Sequence, residues 1–314
     1  MAVAPGGREC TPASALVSVI LAARNAASTI GAQLEALAGQ TYDGSWELVF
    51  IDDGSQDRTR VIVEDWRERL PRLLSLVSPC RVAPTAPARR GRGLERTVST
   101  ARNHGVAHSG GDLLLFCDAD DVVDPAWIEH LVDGLLEHPA VGGQIERERL
   151  STLTALAVRP PKGSRLLDGG FGFLRYPMGA NCGMRRDVWT ALDGFAESYD
   201  NSEDVELFWR AQLAGYELGY VHDAVVHYRL RSDARAMAVQ AYFFGRSHPR
   251  LFRDFRASGM PRSSVPAAVR EWRWLARHVC GNLRDEHARA RRLSRLALRL
   301  GRLVGSVRNR VLYL

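Results

Sequence analysis

Five aspartates fall in two tight groups, Asp52-Asp53-Gly54-Ser55 and Asp118-Ala119-Asp120-Asp121, and each group follows a short apolar run, Glu47–Ile51 and Asp112–Cys117. Carboxylates brought this close repel one another and lose solvation, so they are tolerable only around something positive. A hard divalent cation meets that need. Mg²⁺ or Mn²⁺ takes one or two protein carboxylates and completes its shell with water and phosphate oxygens. Asp-Gly-Ser and Asp-Asp are also ordinary turn and cap sequences; their recurrence at two successive strand ends is what favours chemistry. The cysteines Cys10, Cys80, Cys117, Cys182 and Cys280 have no Cys-x-x-Cys spacing, so they suggest neither a zinc site nor a disulfide framework, and reduced thiols are expected.

The elements that must position these groups alternate. Leu16–Ala22, Glu47–Ile51, Leu73–Val77 and Asp112–Cys117 read as parallel strands buried on both faces. Between them, Ile30, Leu34 and Leu37 repeat with helical spacing, as do Ile62, Trp66 and Leu70, which makes a βαβαβ arrangement. Asp124 and Pro125 predict the N-cap and first residue of a helix whose buried stripe is Ile128, Leu131, Val132 and Leu135. The Pro-, Gly- and Arg-rich stretch from Cys80 to Arg96 is expected to be a mobile surface loop. Farther on come a glycine-rich stretch (Gly169, Gly170, Gly172, Gly179, Gly183), a helix over Glu203–Ala214 stopped by Gly215, and a strand over Tyr216–Val221, with a strand-like Ala224–Val226 after it. In a doubly wound sheet ligands bind beyond the carboxyl ends of the strands, where both acidic groups fall.

With 46% hydrophobic and 25% charged residues among 314, the chain has globular composition, which excludes a disordered, collagen-like or disulfide-scaffold protein. The apolar run Leu16–Ala23 is far short of the roughly 18 residues a membrane-spanning helix needs, and the leader before it pairs Arg8 with Glu9, unlike a signal peptide. A buried strand and a cytoplasmic location are expected.

Several segments together resemble the family 2 glycosyltransferases: Val17–Asn25, Val49–Asp57, Ala101-Arg-Asn-His-Gly105, Gly111–Asp121 and Ser202-Glu-Asp-Val-Glu-Leu207. The first departs from the family's Pro-x-Tyr-Asn by carrying Ala22 and Arg24. The resemblance covers about residues 16–230 and implies an α/β GT-A fold, a Rossmann-like nucleotide-binding sheet with an acceptor subdomain, followed here by a C-terminal helical extension. The expected division is a flexible leader (1–14), a nucleotide-sugar half (15–122), an acceptor half (123–230) and a basic helical extension (231–314). The resemblance further implies that Ala22, Arg24 and Asp53 border the nucleotide, with Asp53 on the base, and that Arg102 lies near it. Asp118 and Asp120 become the DxD pair, with Asp120 the direct ligand of Mn²⁺ or Mg²⁺ and Asp118 nearer the ribose or a metal-bound water. His227 supplies a third metal or diphosphate contact, with a structural histidine as the equal alternative. Asp204 becomes the catalytic base, at a helix start whose dipole keeps a carboxylate ionised.

The implied reaction moves a sugar from a nucleotide-diphosphate donor to an acceptor hydroxyl in one inverting displacement, with Gly179–Gly183 and the loop at Asp200–Ser202 bordering the acceptor. Polysaccharide ends, lipid-linked sugars, peptides and small molecules all remain open as acceptors. A pyrophosphorylase would need glycine after the first strand, where Ala22-Ala-Arg-Asn25 stands. A non-catalytic nucleotide- or membrane-binding scaffold is disfavoured by Asp118, Asp120 and Asp204 occurring together.

The net charge of +6 divides into +14 over residues 231–314 and −8 over the rest. A basic tail seeks a polyanion or an anionic membrane surface. On a helical wheel from Arg291 to Val307, Leu293, Leu296, Leu300, Leu303, Val304 and Val307 share one sector, beside Arg291, Arg292, Arg295, Arg299 and Arg302. Two arrangements fit: the leucines meet a membrane, or they pack on the body and leave the arginines in water. Trp272 and Trp274 among arginines raise nucleic acid as a weaker third partner.

Overall fold

The computed structural model describes residues 15–79, 97–161, 171–199, 201–278 and 285–314. The expected leader, the whole Cys80–Arg96 loop, Gly169, Gly170, Asp200, and the cysteines Cys10 and Cys280 lie outside the described residues. Cys117 and Cys182 are buried free thiols, each with its pKa pushed up by burial.

The chain runs β1 (Val17–Ala23), α1 (Ile30–Ala38), β2 (Trp46–Asp52), α2 (Thr59–Asp65), β3 (Leu73–Val77), α3 (Val98–His108), β4 (Leu113–Asp118), β5 (Val122–Val123), α4 (Trp127–Glu137), β6 (Ala140–Glu146), α5 (Leu153–Val158), β7 (Asn181–Arg185), α6 (Arg186–Ala191), α7 (Glu203–Leu213), β8 (Leu218–His227), α8 (Ala234–Phe255), α9 (Val265–His278) and α10 (Glu286–Asn309). Among the described residues one eight-stranded sheet has the order β3-β2-β1-β4-β7-β6-β8-β5. The β1, β2, β3 and β4 pairings are parallel, and β7 joins β4 and β6 antiparallel.

Both faces of the parallel strands are apolar because successive side chains alternate between two cores. Val17, Val19, Leu21, Leu48 and Phe50 meet Ile30, Leu34 and Leu37 of α1 and Leu131 and Leu135 of α4. Ile20, Val49, Ile51, Leu114 and Phe116 meet Ala101 and Val106 of α3 and Leu207 and Phe208 of α7. A third cluster, with Trp209, Leu251, Phe252, Phe255 and Tyr313, fastens the C-terminal helices to α7.

Two expectations need correction. α4 begins at Trp127, with Asp124 and Pro125 in a preceding turn whose Asp124 carbonyl accepts from Trp127 N–H at 3.1 Å. The Ile62–Trp66–Leu70 periodicity is cut short, because α2 ends at Asp65 and a 3₁₀ turn over Arg67–Arg69 follows. The glycine-rich stretch, whose glycines suggest tight turns or backbone close to a ligand, contains the strand β7, in which Gly183 sits where a Cβ would press on Leu115, Leu135 and Val141 at 2.9–3.2 Å. The predicted strand at Tyr216–Val221 is longer than expected, extending as β8 through Ala224–Val226 to His227.

The tail helix forms as α10, but its leucine row does not pack on the body, as one of the two expected arrangements had it. α10 lies on α8 through small residues: a Cβ at Gly245 would fall on the Leu298 carbonyl, at Gly301 on that of Tyr242, and at Gly305 on that of Arg246. Contact positions advance together along both helices, ending with Arg253 Nη1 donating to Asn309 Oδ1 at 3.0 Å, so α8 and α10 run in parallel. Leu293, Leu296, Leu300, Leu303 and Val307 stay exposed.

Candidate active site

Register places the ends of three strands side by side. Ala23 pairs with Asp52 across β1 and β2, and Ala22 pairs with Asp118 across β1 and β4. The loops that follow are laced together: Asn25 N–H donates to Ser55 Oγ at 3.0 Å, Asn25 Oδ1 accepts from Gln56 N–H at 2.8 Å, and Ala26 N–H donates to Thr59 Oγ1 at 2.8 Å. Asn25 takes a left-handed φ of 51°, which a short polar side chain tolerates. Asp52 is buried and caps its own turn by accepting from Ser55 N–H at 3.0 Å. Asp53 is anchored by its backbone N–H to the Ala23 carbonyl at 2.8 Å, and Arg24 is exposed at the same rim.

The second acidic group closes into a cluster. One ligand oxygen from each of Asp118, Asp120 and Asp121 lies within 4.8 Å of the others. Buried Gln33 sets this turn, donating to the Asp118 carbonyl at 3.2 Å and accepting from Val123 N–H at 3.0 Å. Burial and the charge of Asp118 raise the Asp120 carboxyl, against the pull of Arg231. Burial, Asp118 and Asp120 push Asp121 up to about 9. Asp121 Oδ1 accepts from Arg229 N–H at 2.7 Å, while its buried Oδ2 has no hydrogen-bond partner. An orphaned buried carboxylate oxygen beside two further carboxylates suits a hard cation, so the donor set fits Mg²⁺ or Mn²⁺.

Arg102 joins this cluster to the helix expected to carry the base. Its side chain is buried, and it donates to Asp118 Oδ1 at 2.7 Å, to Glu203 Oε1 at 3.0 Å and to the Gly179 carbonyl at 3.1 Å. Burial works against its charge, but Asp118 and Glu203 more than offset that, and its pKa is raised. Its guanidinium is a brace between two motifs that are 101 residues apart in the Arg102–Glu203 link. Asp204 begins α7 alongside. Its Oδ2 accepts from Gly179 N–H at 2.9 Å and its Oδ1 from Val205 N–H at 2.8 Å, and burial raises its pKa. Neighbouring Glu203 is pushed up to about 7 by burial and by Asp204, with Arg102 opposing. The helix start is held from outside by Ser202, whose hydroxyl meets that of Ser247 on α8 at 2.7 Å.

His227 pairs with Val122, one residue past Asp121, but among the described residues the compact group of possible metal ligands is Asp118, Asp120 and Asp121, without His227. Its Nδ1 faces Glu146 Oε2 at 2.8 Å. The hydrogen bond with His227 and others from the Glu148 and Arg149 N–H groups lower the Glu146 pKa despite burial. An ionised Glu146 only accepts, so Nδ1 carries the proton of that hydrogen bond, while the buried Nε2 has no hydrogen-bond partner. Two arginines at the rim were not found by sequence reasoning. Arg231 Nη1 pairs with Asp120 Oδ2 at 2.9 Å, and Arg229 Nε donates to the Asp120 carbonyl at 2.9 Å. Their signal was their position just after His227, which the general basicity of the tail masked.

The fold and this acidic rim define a GT-A glycosyltransferase domain. The family model "Glycosyl transferase family 2" matches residues 18–191, and the chain belongs to that family. It is similar to the "Succinoglycan biosynthesis protein ExoA" of Rhizobium meliloti (strain 1021), 28% identical over 270 residues that make up 83% of this chain and 77% of that one. It is also similar to "Glycosyltransferase AglE" of Haloferax volcanii, 27% identical over 67% of this chain and 65% of that one. Among solved structures, the mannosyltransferase PcManGT from Pyrobaculum calidifontis in complex with GDP-Man and Mn²⁺ superposes with a TM-score of 0.55 at 18% identity, covering 91% of this chain and 86% of that one. Glucosyl-3-phosphoglycerate synthase from Mycobacterium tuberculosis, in complex with Mn²⁺, UDP and phosphoglyceric acid, gives 0.51 at 23% identity over 80% and 81%.

Proposed function

We propose that this glycosyltransferase moves a sugar from a nucleotide-diphosphate donor to an acceptor hydroxyl with inversion, in the assembly of a cell-surface polysaccharide, a glycolipid or a glycosylated small molecule. The observation that carries it is the Arg102 brace, which sets an acidic cluster and a buried-edge carboxylate, Asp204, on one rim. In this reading residues 15–122 bind the donor, with Ala22, Arg24 and Asp53 along the nucleotide, and residues 123–230 receive the acceptor.

Asp120 would hold Mn²⁺ or Mg²⁺ with Asp118 and, through Nε2, His227. Such a cation supplies charge neutralisation for the departing diphosphate. Asp204 takes the proton from the acceptor hydroxyl, and its raised pKa makes it a stronger base than a solvated aspartate. Gly179 N–H orients that carboxylate, since both its oxygens are already engaged with backbone donors. Arg102 is a positioning residue that holds Asp118 in place through their 2.7 Å ion pair. No helix among the described residues is long and apolar enough to cross a membrane, and peripheral attachment at the inner membrane face is the proposed setting.

The test is a thermal-shift screen of nucleoside diphosphates and sugar nucleotides with Mn²⁺ or Mg²⁺, followed by turnover and NMR of the anomeric proton. A ligand at 100 times its dissociation constant should add about 2.7 kcal/mol of stability. Metal-independent binding of every nucleotide, or a product with retained anomeric configuration, would overturn the assignment.

A further inference from the structure

The glycine seam between α8 and α10 fixes what each helix turns outward. On a wheel the exposed Leu293, Leu296, Leu300, Leu303 and Val307 lie about a third of a turn from the α10 residues that meet α8, Ala290, Gly301 and Gly305. On α8, the exposed Val239 and Phe243 lie about a quarter of a turn or more from Gly245 and Pro249, which meet α10. Because the helices are parallel, these two opposite displacements bring both apolar rows to the same side of the pair. α9 lies elsewhere around α10: it meets α10 at Arg295, which stacks on Trp274 at 4.3 Å, and at Arg292, which donates to the His278 carbonyl at 3.2 Å. The leucine row stays uncovered, from 37% exposure at Leu296 to 80% at Val307.

A contiguous apolar strip of this size on a protein surface marks an interaction site. Its charge selects the partner. From Ala234 to Arg253 on α8 and from His287 to Asn309 on α10 there is no carboxylate, whereas α8 carries Arg235, Arg246, Arg250 and Arg253 and α10 carries seven arginines from Arg289 to Arg308. Arg246 lies over the ring of Phe243 at 4.7 Å, so basic and apolar groups share the face. A protein partner would need a matching acidic, apolar groove; a leaflet of anionic lipids offers both features at once, headgroup charge above and hydrocarbon beneath.

We propose that the exposed α8–α10 face docks this protein in-plane on an anionic membrane surface. The face is wired to the catalytic rim at two points. Arg231, paired with Asp120, lies three positions before the start of α8, and Ser247 on α8 holds Ser202 at the start of α7. The proposal deepens the reading of a peripheral glycosyltransferase by naming the surface that attaches it, and docking on this face would present the rim near a lipid-borne acceptor.

Vesicle co-sedimentation tests docking without turnover, so its failure leaves the catalytic assignment untouched. The full chain should bind vesicles of phosphatidylcholine containing phosphatidylglycerol, with binding weakened by salt, and should bind vesicles of phosphatidylcholine alone far less. The triple substitution Leu296→Gln, Leu300→Gln, Leu303→Gln, at exposed positions where glutamine favours helix, should keep the far-UV spectrum and melting temperature and lower the partition coefficient at least about tenfold. Equal binding to both vesicle types, or unchanged partitioning of the folded triple variant, would overturn the proposal. So would sedimentation showing a wild-type dimer that the triple variant converts to monomer, since the strip would then be covered by a second copy.

Discussion

The acidic rim of the sheet and the seam between α8 and α10 are opposite solutions to crowding. At the rim, charges are forced together and compensated: buried Arg102 and surface Arg231 each take one carboxylate of the Asp118–Asp121 turn. Along the glycines of the seam nothing charged needs compensation, and the backbones themselves approach through Gly245, Gly301 and Gly305. The first arrangement stores electrostatic work that a bound cation would relieve, as the proposed reaction site requires. The second uses shape alone, and so leaves the helix's largest side chains free for something else.

The strongest way to test the rim as a chemical device is to remove charge without removing shape. Asp204→Asn keeps an oxygen for Gly179 N–H, so the enzyme should fold and hold its nucleotide while kcat falls about 10²–10⁴-fold. Single-turnover kinetics beside calorimetric nucleotide binding separates the two effects; near-normal turnover in a folded variant would reduce Asp204 to a helix-start residue. Asp120→Asn should instead abolish Mn²⁺-dependent nucleotide binding, and Asp121→Asn should do less, because an asparagine oxygen can still accept from Arg229 N–H.

The brace comes next in size. Arg102→Met fills the space but leaves Asp118 and Glu203 without their buried cation, and should cost about 3–5 kcal/mol in denaturant unfolding. The loss should shrink as pH falls through the range where the Glu203 carboxyl, already pushed up to about 7, takes up a proton and no longer needs a counter-charge. A pH-independent loss would mean that the guanidinium acts by packing alone.

The rim was legible because its chemistry is local in sequence. Asp52, Asp53, Asp118 and Asp120 each follow a strand, and strand ends converge in this class of sheet. Arg102, Gln33 and Glu146 were harder, because their partners sit 101, 90 and 81 residues away and no periodicity announces such a link. β7 was missed for a related reason: glycines at Gly179 and Gly183 signal turns in isolation, and only the close approach of Leu115 and Val141 explains a glycine inside a buried strand. For the tail, the wheel identified the leucine sector but could not say what covers it. The stripe Ser294, Gly301 and Gly305 was equally visible, yet apolar bulk drew the expectation when small size decided the packing.

The seam can be challenged directly. Gly301→Val puts a branched side chain where the Tyr242 carbonyl already lies, and should destabilise the C-terminal helices by about 1–3 kcal/mol through overpacking. Leu300→Gln, one residue earlier on the exposed row, should change stability by less than about 0.5 kcal/mol. Thermal unfolding of the pair distinguishes small-residue packing from leucine packing, and the reverse ranking would refute the parallel seam.

The smallest expected effect uses pH to probe the same seam where charge does enter it. His248 on α8 accepts from Arg302 Nε on α10 through Nδ1 at 3.1 Å, with the ring of Phe171 edge-on at 4.8 Å. Burial first, then Arg302 and Arg299, hold its pKa well below the usual 6.5. A histidine kept neutral in the fold is protonated more readily in the unfolded chain. Its contribution is therefore fully present above the unfolded pKa of 6.5 and is lost as pH falls from there toward the lower folded value. The melting temperature of wild type relative to His248→Gln should accordingly drop as pH is lowered through the unfolded histidine pKa, since glutamine offers Arg302 an acceptor that does not titrate. A difference that stays constant across that range, or grows as the solution is acidified, would show that His248 and Arg302 are not coupled across the seam.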